Sequence, residues 1–177
     1  MKKFTLLFLV LVFGLAGCSR QPGNGPAGSE NKPADFSITL DWATGPMPDP
    51  QMYYFYSIQV GPSGEGKLHY QSGDRSVELD APFSVSEESL LQLYALCYEK
   101  GALSSNREEG EPLDGGPDIS IQFFSNGHSY VYPSVSELSE NERSMVYLIA
   151  DKVQKLVPGD LWDEMNQLQL DYEASHD

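Results

Sequence analysis

Between Phe36 and Phe83 the chain reverses direction three times without offering a helix, and this constrains the fold more than any other feature. Phe36, Ile38, Leu40 and Trp42 alternate with Ser37, Thr39 and Asp41, the period of two expected of a half-buried strand. The Pro/Gly-rich stretch 45–50 breaks it. A second strand is predicted from Tyr53 to Val60, with Tyr54, Tyr56, Ile58 and Val60 on one face. The turn at 61–66 leads to a third strand through Leu68 and Tyr70. Ser72-Gly73-Asp74 then leads to a fourth, containing Val77 and Leu79 and ending near Phe83.

A helix comes next, with Ser86 as its N-cap, Val85 and Leu90 spaced as a hydrophobic staple, and Gly101 at its end. Strands at 119–124 and 128–132 flank Ser125-Asn126-Gly127, a strong hairpin signal. A second helix is predicted from Glu140, with Ser139 and Glu142 at capping-box spacing and Met145, Ile149, Val153 and Leu156 as its buried stripe. Pro158 stops it. Asp160 is placed to cap a last helix carrying Leu161, Met165, Leu168 and Tyr172 on one face, with Trp162 adding a core aromatic. The order ββββαββαα has hairpins and no strand–helix–strand alternation. It predicts an α+β fold, a mainly antiparallel sheet with about three helices packed on it, over residues 35–177.

The N-terminal segment obeys different rules. Lys2 and Lys3 precede an apolar run from Phe4 to Phe13, and Leu15-Ala16-Gly17-Cys18 closes it. From Phe4 to Gly17 the run is too short to cross a bilayer core, and it has the charge and length of a secretory signal. The tetrapeptide resembles the lipobox of bacterial lipoproteins, and the domain beyond it is similar in general form to uncharacterised envelope lipoproteins. The resemblance implies a signal peptide over 1–17, cleavage before Cys18, diacylglycerol (palmitate or a similar chain) on its sulfur, and an address on the extracytoplasmic side of the cell membrane or outer membrane. Residues 18–34 would then be the lipidated cysteine and a tether. From Ser19 to Ala34 it holds glycines and prolines but no large apolar side chain, and spans on the order of 20 Å.

Charge narrows the partners. The chain carries 26 acidic against 11 basic residues, a formal net charge of −15. Losing Lys2 and Lys3 with the signal would take it to about −17. Such a surface repels nucleic acid and anionic headgroups, so attachment to a membrane falls to the lipid itself. With Cys18 acylated, Cys97 has no partner for an intramolecular disulfide. Its place on the stripe Leu90, Leu93, Tyr94, Cys97 reads as a buried thiol.

Catalytic motifs are few. Gly61-Pro62-Ser63-Gly64-Glu65-Gly66-Lys67 has the spacing of a phosphate-binding loop, but Leu68 replaces the magnesium-binding hydroxyl and a strand follows where a helix is required. It reads as a hairpin turn, and no nucleotide or other cofactor is expected. His69, His128 and His176 form no metal-binding pair. Glu108, Glu109, Glu111, Asp114 and Asp118 gather carboxylates in one loop. Glu109, Glu111, Asp114 and Asp118 are the weak alternative for a calcium site, against the simpler expectation of a solvated acidic loop with no metal.

Aromatic residues are in surplus. Tyr53 and Phe55 project opposite to Tyr54 and Tyr56, while Tyr130 and Tyr132 share a face of another strand. Tyr53, Phe55, Tyr130 and Tyr132 are therefore the candidate ligand-binding residues, provided that no helix or strand covers them. Coverage by the helix carrying Trp162 or by a neighbouring strand is the competing expectation. Together these features predict a lipid-anchored, non-enzymatic domain that binds an envelope protein, peptide or glycan, with an envelope hydrolase using carboxylates as the alternative.

Overall fold

In the computed structural model, residues 32–47, 49–104, 110–112 and 115–176 are described, and they form an α+β fold. Six strands, β1 (Ser37–Ala43), β2 (Tyr54–Val60), β3 (Glu65–Ser72), β4 (Glu78–Ser84), β5 (Asp118–Ser125) and β6 (His128–Tyr132), make one sheet. Their order is β4-β3-β2-β1-β5-β6, and every neighbouring pair is antiparallel. The helices are α1 (Glu87–Glu99), α2 (Glu140–Gln154) and α3 (Gly159–Ala174). The predicted fold class and element order are those of the structure.

Turn chemistry sets the register. Asn126 and Gly127 both have positive φ, 53° and 75°, as a two-residue hairpin of the right twist demands. Asp35, just before β1, accepts hydrogen bonds from the Asn126 and Gly127 backbone N–H groups at 2.9 and 2.7 Å, pinning that turn to the start of the sheet. The stretch that mimics a phosphate-binding loop is the β2–β3 turn. Gly64 sits there at φ +86°, Gly61 N–H donates to Glu65 O, and the chain continues directly into β3.

One face of the sheet holds the core. The register aligns Ile38 with Val60 and Phe123, Leu40 with Ile58 and Ile121, and Ile58 with Leu68, and all of these are buried. The helices lie against this face: Phe36 meets Tyr94 of α1 edge to face at 5.1 Å, and Tyr70 donates to Gln169 of α3 at 2.5 Å. Each fully buried Leu, Ile or Phe contributes about 1.5–3 kcal/mol relative to exposure, so this layer is the main stabilising element. No second layer of described residues covers the other face, where Thr39, Gln59, Lys67, Asp80 and Gln122 stand.

Helix starts agree with the caps. The Ser86 and Ser139 hydroxyls accept from the Ser89 and Glu142 backbone N–H groups. Two details differ from expectation. The buried stripe of α2 is Val146, Ile149, Ala150 and Val153, with Met145 and Leu156 only half-buried, because α2 is rolled toward α1 and β5. The N-cap of α3 is Pro158, without a side-chain cap bond, so Asp160 lies inside the first turn and acts only through its charge near the helix N-terminus.

Candidate functional site

Alternation places Trp42 at the end of β1 and Tyr54 and Tyr56 at the start of β2, all on the face that the helices cover. The helix layer stops short of this end. The space left is a cleft of about 530 Å³, with Trp42, Tyr54 and Tyr56 from the sheet on one side and the end of α2 and start of α3 on the other. Pro158 disfavours helix at the residue before it and starts α3 as its N-cap, and Trp162 in the first turn of α3 meets the sheet aromatic Tyr56.

The rings support one another. Trp42 stacks on Tyr56 at 5.0 Å between centroids and 11° between planes, and Tyr54 lies 5.2 Å from Trp42. Trp162 meets Tyr56 edge to face at 5.1 Å and 81°. Hydrogen bonds fix the wall. The Trp162 indole N–H donates to Gln154 O at 3.2 Å, and the Gln154 side-chain amide donates to the Tyr56 hydroxyl at 2.6 Å. Tyr56 is buried at the base, whereas Trp42, Tyr54 and Trp162 are half-buried and face the opening. Trp162 is thus both a core contact and a cleft wall, half-buried rather than the wholly buried core aromatic expected.

The rim is polar and exposed. Asp151 and Lys155, one helical turn apart, form an ion pair at 2.6 Å, and Asn166 stands across from them on α3. Burial pushes the Tyr56 phenol far above its ordinary value, against a smaller opposing effect of the Gln154 hydrogen bond. Tyr54 is raised by burial and then by the Glu173 charge. Both phenols are therefore neutral at physiological pH and able to donate as well as accept.

Of the four candidate residues, the structure does not make one site. Tyr132 is buried on the core face and donates to Ala102 O at 3.1 Å, with its ring edge-on to Phe123. Tyr130, on the same face opposite Phe123, is half-buried. The alternation that makes them share a face is correct, but that face is the one the helices cover. Tyr53 and Phe55 lie on the other side of the sheet. Phe55 packs near the His69 ring at 6.2 Å, and Tyr53, 41% exposed, lines a separate polar cleft with Ser134 and Gly116. The helices cover the face that carries Tyr130 and Tyr132 together with Tyr54 and Tyr56, and Trp162 itself lies against Tyr56. The aromatics that converge are Trp42, Tyr54, Tyr56 and Trp162. Their signal in the sequence is that each tryptophan stands within four residues of a proline-bearing break, at Pro46 and Pro158.

The remaining candidates separate as well. Cys18, Glu108, Glu109 and Asp114 lie outside the described residues. The Glu111 backbone carbonyl accepts from Arg143, and Asp118 accepts from the Ser134 hydroxyl at 2.6 Å. No group of three or more His, Cys, Asp or Glu gathers among the described residues in a way that could hold a metal ion.

One cross-strand row has the composition of a hydrolytic triad, since Ser57, His69 and Asp80 are register partners on the uncovered face. His69 Nδ1 lies 2.9 Å from Asp80, but Lys67 shares the same Asp80 oxygen at 2.8 Å. No hydrogen bond joins Ser57 to His69 among the described residues. A nucleophile needs that bond and a substrate cavity beside it, and the row instead crosses the uncovered face from β2 to the edge strand β4.

No family model matches the chain, and a search of the curated proteins finds no match to it.

Proposed function

We propose that this chain is a lipid-anchored, extracytoplasmic binding protein that takes its ligand in the Trp42–Tyr54–Trp162 cleft and does not transform it. One observation carries the reading. Both tryptophans of the chain and two of its tyrosines border a single cleft of about 530 Å³, inside the size range of small-molecule sites, with hydrogen-bonding groups at its rim. Half-buried aromatic walls with a polar edge suit reversible binding. The chemistry for turnover is thin. Asp151 is the one carboxylate among the described lining residues and is paired with Lys155, whereas hydrolysis by paired carboxylates takes a second acid about 5–9.5 Å away. The anchor rests on the run from Lys2 to Cys18, and a tether of some 20 Å would hold the cleft close to the membrane surface.

Photo-cross-linking in cells tests this. A benzophenone side chain placed at Asn166, on the cleft rim, should capture an envelope component. The same group at Gln122, on the uncovered sheet face, should not. Adducts at Gln122 with none at Asn166 would move the binding surface away from the cleft and overturn the proposal.

A further inference from the structure

We infer that the ligand class of the cleft is a neutral saccharide of about disaccharide size; this rests on the binding role proposed for the same site. The hydrogen bonds that the rim can make select the class. Asp151 offers only acceptors and Lys155 only donors, while the Asn166 amide and the Tyr54 hydroxyl offer both. The Asp151–Lys155 pair occupies one carboxylate oxygen and one ammonium proton, so each partner retains capacity for a ligand. A ligand that satisfies such a rim must donate and accept at closely spaced positions. Vicinal hydroxyls do this.

Three other chemistries fit the rim less well. A proline-rich peptide presents carbonyl acceptors without N–H donors, so it would desolvate Asp151 without replacing its hydrogen bonds. A quaternary ammonium ion would gain from the rings but would face the Lys155 charge and use no hydrogen bond. An anion would meet a chain of formal charge −15. A saccharide ring also has an apolar C–H surface, which loses water favourably against Trp42 and Trp162 while its hydroxyls turn to the rim. The volume is that of a small organic ligand and far short of a folded partner's footprint.

Titration of the full-length protein in detergent, read by calorimetry and tryptophan emission, decides the matter. The probes are cellobiose, maltose and N,N′-diacetylchitobiose at millimolar concentration, with a short oligoproline peptide and choline alongside. At least one disaccharide should bind. Asp151→Asn and Lys155→Met, both at exposed positions, should each weaken it about tenfold, as loss of one charge-assisted hydrogen bond does, without moving the thermal midpoint. If oligoproline or choline binds and no disaccharide does, the saccharide assignment falls while the cleft keeps its binding role. If no probe binds, the saccharide assignment falls too, and cross-linking at Asn166 decides the binding role separately. Disaccharide binding that neither rim substitution weakens would also overturn the assignment, because the rim would then not select the ligand.

Discussion

Tyr56 and Trp162 meet edge to face, 5.1 Å between centroids, across the seam between the sheet and the last helix. Because Trp162 is half-buried and donates its indole N–H to Gln154 O, removing it costs both packing and one hydrogen bond but leaves no closed cavity. Trp162→Ala should cost about 2 kcal/mol, below the ~3–5 kcal/mol of a wholly buried aromatic. Thermal unfolding checks this. A loss at the top of the core range would contradict its half-buried position.

Cys97 is fully buried, and burial pushes its thiol up to about 12. A thiol reagent at pH 8 should therefore leave Cys97 unmodified in the native protein and react fully in denaturant. The folded value lies above the unfolded one, so the contribution to stability is complete below the ordinary thiol range and is lost as pH rises from about 9 toward 12. Cys97→Ala should flatten the alkaline limb of a stability–pH curve. Fast native labelling at pH 8 would contradict the burial.

At the other end of the scale, Asp74 is held down to about 2, first by the Ser76 hydroxyl and then by the Ser76 backbone N–H. A depressed carboxylate contributes above its unfolded value, and that contribution disappears as pH falls from about 4 through 2. Asp35 acts in the same sense, lowered by the Gly127 and Asn126 backbone N–H groups. Asp74→Asn should therefore make the melting temperature less sensitive to pH in that window. An unchanged acid slope would show that the Ser72–Ser76 turn does not couple to folding.

Cys18→Ser should release the protein from membranes, as unprocessed precursor or soluble form, and abolish incorporation of labelled fatty acid. Equal incorporation in the substituted protein would contradict the lipobox reading of Leu15-Ala16-Gly17-Cys18.

The strand faces were legible because period-two alternation is a local property. Ile38, Leu40, Ile58 and Leu68 are core residues, as their spacing requires, and Asn126-Gly127 makes the predicted hairpin. Ser86 and Ser139 cap as their positions imply. The cleft was not legible. Alternation assigns Tyr53 and Tyr54 to opposite faces but does not say which face receives the helices, nor how far along the strands they reach. Tyr132 shows the first failing, since its spacing suits an open face and it lies under the loop after α1, donating to Ala102 O. Trp42 shows the second, since its spacing suits the core and it lies where the helix layer ends. Both depend on long-range packing, which for the cleft is set by the α2–α3 junction at Pro158.

The two indole N–H groups provide the most direct test, because the chain's only tryptophans, Trp42 and Trp162, border the same cleft. Two-dimensional ¹⁵N–¹H spectra of the full-length protein, recorded as a digest of envelope glycan and peptide is added, give one resonance for each. Ligand binding in the cleft predicts that both indole signals shift together and saturably, while the side-chain amide of Gln122, on the uncovered face, stays in place. Unmoved indoles with a shift of the Gln122 side-chain amide would contradict it and put the function on the uncovered face.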